Sequence, residues 1–153
     1  MKKLLLLTLL FSISFTSFVT SQSKMSQRET FETTYQNTKA TVKTQHYQFV
    51  ADVIYDGQQR EILNGDSNQI DINNLNVKGI LHGFSKDKAI YTLKETNSDI
   101  NTTVNDENQQ ISIVVKTSSY SINIEVKPNG NAFLTLTGND ISKQEYAGKL
   151  VRI

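Results

Sequence analysis

The sequence predicts a mainly β domain with one N-terminal helix: an antiparallel β-meander of seven or eight strands, folded as a strongly curved sheet or partly closed barrel. Three observations predict it. One capped amphipathic segment comes first. The apolar period then changes from helical to two at Tyr47. Strict alternation continues between short polar turns through the second half of the chain.

The helix is expected near residues 26–45. Ser26-Gln27-Arg28-Glu29 has the pattern of a capping box, in which a hydroxyl caps free N–H groups and a carboxyl reaches back. Phe31, Tyr35, Thr38 and Val42 share one face, while Lys39 and Lys43 complement the negative end of the helix dipole. The many threonines weaken intrinsic helicity, so this helix must depend on docking its apolar stripe.

Tyr47, Phe49, Ala51, Val53 and Tyr55 alternate as the inward face of a first strand, stopped by Asp56-Gly57. A polar connection follows to Asn64-Gly65-Asp66. Ile70 and Ile72 mark a second strand. Val77 to Phe84 is interrupted by Gly79 and Gly83 and reads as an irregular or bulged strand. Strands follow near 89–94 and 100–105. The alternation is cleanest in Ile111/Ile113/Val115, Tyr120/Ile122/Ile124/Val126 and Ala132/Leu134/Leu136, separated by turns such as Pro128-Asn129-Gly130. A last strand falls within Gln144 to Ile153. Turns this short make the neighbours antiparallel.

Residues 1–21 have the order of a cleaved export signal. Lys2 and Lys3 precede the apolar run Leu4 to Phe11, and Val19-Thr20-Ser21 supplies short residues before a new N-terminus at Gln22, with cleavage after Ser23 the alternative. A retained anchor would need roughly 20 predominantly apolar residues. Ser12, Ser14, Thr16 and Ser17 dilute this run instead. Residues 22–153 are then one β-rich domain, periplasmic or secreted. The chain has no cysteine, which excludes a lipid-accepting thiol, thiol catalysis and Cys-based metal sites. No stable membrane anchor is expected after cleavage.

Losing residues 1–21 takes the 16 basic residues to 14, because Lys2 and Lys3 go with them, against 15 acidic ones. A near-neutral chain with scattered charge has no electrostatic case for nucleic acid. Trp is absent, which argues against a sugar-stacking platform, and no internal repeat occurs.

The order of signal, capped helix, aromatic strand Tyr47-Gln48-Phe49-Val50-Ala51, long meander and terminal Tyr146-Ala147-Gly148-Lys149-Leu150 resembles the secreted bacterial family catalogued as domain of unknown function 4251. The resemblance spans residues 22–153 and lies in element order and hydrophobic spacing. It implies an exported protein of Gram-negative bacteria and carries over no catalytic residue. The family's mid-chain aromatic, glycine-containing segment often has Pro and Arg. Its counterpart here, Ile80-Leu81-His82-Gly83-Phe84-Ser85, has neither.

Chemical motifs are sparse. His46 and His82 come from different elements without metal-ligand spacing, so no metal site and no cofactor are expected. Asp66 to Asp71 fails the EF-hand pattern, with Ile70 at its fifth position and Asp71 at its sixth, and reads as a solvated turn. No serine sits in a nucleophile motif. The leading functional expectation is a non-enzymatic exported protein binding a small apolar or amphipathic ligand, with Tyr47, Phe49, His82 and Phe84 as candidate lining residues. One alternative is an interaction module meeting an envelope protein through a sheet face or edge. The other is a hydrolase whose carboxylates have no local signature. An enclosed cavity favours the first, a filled core with an open edge the second, and converging acids the third.

Overall fold

The computed structural model describes residues 26–153, so the segment read as an export signal lies outside the described residues. The helix, α1, runs from Gln27 to Lys43. Both arms of its capping box form: the Ser26 N–H donates to Glu29 Oε2 at 2.7 Å, and the Glu29 N–H donates to Ser26 Oγ at 3.2 Å. A cap contributes about 1 kcal/mol. Burying Tyr35 and Val42 against the sheet contributes roughly 1.5–3 kcal/mol apiece, so docking outweighs capping. Among the described residues no helix is long and apolar enough to cross a membrane.

The strands are β1 (His46–Asp56), β2 (Gln59–Ile62), β3 (Gln69–Asn73), β4 (Asn76–His82), β5 (Ile90–Glu95), β6 (Asp99–Asn105), β7 (Gln110–Lys116), β8 (Tyr120–Val126), β9 (Asn131–Gly138) and β10 (Gln144–Arg152). All pairings are antiparallel, in the order β5-β4-β3-β1-β10-β9-β8-β7-β6, with β2 on the second half of β1. Among the described residues the count is ten, above the seven or eight expected. The polar connection after Gly57 contains β2, whose sequence Gln-Arg-Glu-Ile has no alternation to read. The stretch read as irregular contains β4, which pairs regularly on both sides. Its Gly79 allows close approach to β3, since a Cβ there would lie 2.7 Å from Ile70 Cα.

The bulge lies in β1 instead, where the register on β10 shifts between Ala51 and Val53. The extra residue reverses the inward parity. Tyr47, Phe49 and Ala51 face the core as expected, but after the shift Ile54 is buried in place of Val53 and Tyr55. At the bulge β1 passes from β3 to β2. A 3-10 turn, Gly65–Ser67, fills the gap, and Asn68 accepts the Ala51 N–H at 2.8 Å.

Two meanders thus meet through one long-range pair, β1 with β10. Counting antiparallel steps, the edge strands β5 and β6 run in the same sense. Parallel neighbours need a crossover of roughly a dozen residues, yet only Thr96, Asn97 and Ser98 separate them. A flat path of nine strands would hold its edges roughly 38 Å apart, whereas this tether reaches roughly 14 Å. The sheet therefore curls into a half-barrel whose edges are tied at one corner and cannot pair with each other.

Side chains fill the concave face. Phe49, Ile70, Leu81, Ile113, Ile122 and Leu136 are all at 0% exposure, so no space large enough for water adjoins them. These side chains pack the centre of the half-barrel, and the hollows described below open at its ends and on its outer face rather than enclosing a ligand within it.

Helix α1 is tied to the far meander by polar contacts. Asp106, in the β6–β7 turn, accepts from the Tyr35 hydroxyl at 2.6 Å and pairs with Lys39, while Gln109 donates to Glu32. The amine and hydroxyl beside Asp106 hold its carboxyl below the usual range, and the Ser26 backbone N–H does the same for Glu29. Groups lowered by folding support it above their unfolded values and lose that support as pH falls through the lowered ones. Acidification below the ordinary carboxylate range is therefore expected to loosen α1 before the sheet. Circular dichroism of the helix against methyl NMR of the core would show it, and Asp106→Asn should flatten the helix's acid dependence.

Candidate functional site

The structure places the four candidate lining residues in three different settings. Phe49 lies in the core and lines neither of the two cavities described below. His82 and Phe84 share an open cavity at one end of the half-barrel. Tyr47 lines another at the opposite end, under α1.

The His82 cavity is about 330 Å³, walled by Leu63, Phe84, Ala89 and Ile90 with polar Glu61 and Ser85. Its organising residue is Asn68, only 2% exposed. The Asn68 Oδ1 accepts the His82 backbone N–H at 2.8 Å and sits 3.0 Å from His82 Nδ1. A backbone N–H can only donate, so this oxygen is the acceptor, and Nδ1 must carry a proton. Neutral His82 is therefore the Nδ1–H tautomer, with its Nε2 lone pair unused among the described residues. The Asn68 amide donates in turn to the Asn64 carbonyl at 2.8 Å. The Asp66–Asp71 stretch was read as a solvated turn; Asn68 is instead a buried hub. Only its partners, distant in sequence, distinguish it from the chain's many other asparagines.

The second cavity, also about 330 Å³, opens at the unsealed seam. Val42, Tyr47, Ile72, Leu75, Ile100 and Thr102 are among its lining residues, drawn from α1, β1, β3, the β3–β4 turn and β6. Its rim is conformationally costly. Gln45 and Asn74 both have positive φ, 55° and 51°, and the Asn74 N–H donates to the Gln45 carbonyl at 2.7 Å. Asn tolerates that region, but Gln does so at a cost that is usually found where geometry serves a purpose. Tyr47 is 2% exposed, and burial alone pushes its hydroxyl up to about 12. It is a neutral donor with no hydrogen-bond partner among the described residues, set in an apolar wall.

A third hollow, about 560 Å³, is a trough on the convex face over β1, β3, β4 and β5. Charged side chains occupy it: Asp71 pairs with Lys78 at 3.3 Å and has His46 Nε2 at 3.8 Å. Among the described residues no three His, Asp or Glu side chains cluster to hold a metal. Glu29, Glu61 and Asp106 all have carboxyls held below the usual range by hydrogen bonds, opposite to what a general acid requires.

Fold and cavities together define a curled antiparallel half-barrel with a helix docked beside an open seam. No family model matches the chain, and no curated protein does. Among solved structures it is similar to a DUF4251 family protein from Bacteroides eggerthii, known from its crystal structure. The two share 17% identity over 78% of this chain and 88% of that one, with a TM-score of 0.64. Identity this low speaks for the fold. That fold is the one the element order resembled, and the family's function is unassigned by its own description.

Proposed function

We propose that the chain is an exported, non-enzymatic binding domain that takes a small amphipathic molecule at the seam cavity. The observation that carries this reading is the Tyr47 hydroxyl, which meets the open seam cavity from an apolar wall and makes no hydrogen bond among the described residues. A ligand acceptor placed there would gain a hydrogen bond worth on the order of 0.5–1.5 kcal/mol. Val42, Ile72, Leu75 and Ile100 supply apolar contact for the ligand's body. A cavity of about 330 Å³ is at the small end of ligand sites. It suits a short alkyl or single-ring compound bearing a carbonyl or carboxylate.

The test is a methyl NMR titration with medium-chain fatty acids and alcohols, paired with native mass spectrometry of protein taken from its own envelope fraction. Shifts are expected at Val42, Ile72 and Ile100, and Tyr47→Phe should weaken binding roughly threefold to tenfold while leaving the fold intact. A protein isolated ligand-free, whose seam methyls ignore every amphiphile, would overturn the proposal.

A second reading, an interaction module, is favoured by β6. Among the described residues one side of this strand has no neighbour, six of its seven residues are exposed, and Val104 is 37% exposed.

A further inference from the structure

We infer that β6 is a self-pairing edge, and that its partner is β6 of a second copy of this chain, in antiparallel register about a two-fold axis at Thr102. The inference rests on the interaction reading of β6. It begins from the topology. Among the described residues the outer edge of β6 has no partner, because β5 runs in the same sense and is tethered through only Thr96 to Ser98. Its unpaired N–H and C=O groups are left to water or another strand.

The two edges of the sheet are not equivalent. Strand β5 carries Lys94 and Glu95, the kind of charge that blunts an edge. Strand β6 reads Asp-Ile-Asn-Thr-Thr-Val-Asn and holds no Lys, Arg, Pro or bulge; its pairing with β7 is unbroken from Asp99 to Asn105. Its one charge is at the end.

The sequence of β6 complements itself in one register. With Thr102 on the axis, Ile100 faces Val104 of the second copy, Asn101 faces Thr103, and Asp99 faces Asn105. The inward apolar residues thus continue the concave face across the join, because Ile100 and Val104 lie opposite Val115 and Ile111 of β7. The exposed side of Val104 gains cover. No like charges face each other. The Asp99 carboxylates meet neutral amides at the two ends. An isologous pair of this kind closes on itself and uses up both β6 edges, leaving only the charge-bearing β5 edges.

Seven residues a side make a small interface. It falls below the 1,200–2,000 Å² of standard complexes, so a dissociation constant on the order of 10–100 μM is expected.

The experiment is sedimentation equilibrium on the mature protein and two double variants. Asn101 and Thr103 are exposed, point away from the core, and lie outside the seam cavity. N101K/T103E sets an introduced amine opposite an introduced carboxylate at two places across the axis. N101K/T103K sets amines opposite each other at the same places. Cross-strand charge pairs change pairing enough that the first should tighten the dimer roughly tenfold and the second weaken it by a similar factor. A protein that stays monomeric up to about 0.5 mM overturns the inference. So does a dimer whose constant moves the same way, or not at all, in both variants, since that places the contact elsewhere. The amphiphile titration stays distinguishable when it is read at Val42 and Ile72, which line the seam cavity from α1 and β3 and not from β6.

Discussion

Gly148→Val is expected to prevent stable folding, and Gly148→Ala to cost about 4 kcal/mol or more. Gly148 lies opposite Ala51 in the one pairing that joins the two meanders, next to the bulge of β1. A Cβ there would sit 2.9 Å from the Val50 carbonyl carbon and 3.0 Å from Ala51 Cα, and closer still to the Val50 oxygen. Those are backbone atoms, so no rotamer change relieves the overlap. The strands must move apart, and with them the ladder that joins β3-β4-β5 to β6 to β9 among the described residues. Typical domains have about 5–15 kcal/mol of stability in all. Even the alanine variant should therefore lose a large share of it, read as a lower urea midpoint with an unchanged slope. Gly57 supplies the control. Its φ is +59° but nothing lies within 4 Å of an added Cβ, so Gly57→Ala should cost only about 1 kcal/mol. If the two alanine variants melt together, the tight crossing of β1 and β10 is not what holds the meanders.

The same crossing shows what the sequence could and could not convey. Alternation in β7, β8 and β9 identifies every buried residue there, because those strands pair with chain neighbours and keep a period of two. Helix α1 is equally legible, since its cap and its Tyr35/Val42 face are local signals. The β1–β10 pairing is not local. Nothing in Tyr47 to Asp56 announces a partner near residue 150, or that the strand changes face at Asp52. Strand β2 is hidden for a different reason: a four-residue polar edge needs no apolar pattern. The candidate site divides along the same line. Aromatic residues beside glycine pointed to His82 and Phe84, which do share a cavity. Asn68, which sets the His82 tautomer, carries no sequence mark, because its role comes from a hydrogen bond across 14 residues. Tyr47 and Phe49 looked alike as alternate residues of one aromatic strand. Whether such a residue meets a cavity or the core depends on what packs above it, and for Tyr47 that is the end of α1 with the start of β6.

Those two aromatics are therefore expected to part company under mutation. Phe49→Ala should destabilise the domain by about 3–5 kcal/mol, the usual cost of emptying a large, fully buried aromatic site. The lower end requires the surroundings to collapse. That is hard here, because Phe49 is held between Ile70 on β3 and Leu150 on β10, both fixed by ladder pairing. Tyr47→Phe keeps the ring and removes only a hydroxyl with no partner to lose, so its stability should stay within about 1 kcal/mol of the parent. Urea unfolding separates the two directly. Amphiphile titration of the folded proteins then supplies the opposite ranking: affinity should fall for Tyr47→Phe and hold in the native fraction of Phe49→Ala. Loss of affinity in the Phe49 variant, with the seam methyl shifts unchanged in the free protein, would place the ligand deeper than the seam. That outcome would mean the core opens to admit it, since Phe49 is at 0% exposure in the closed sheet.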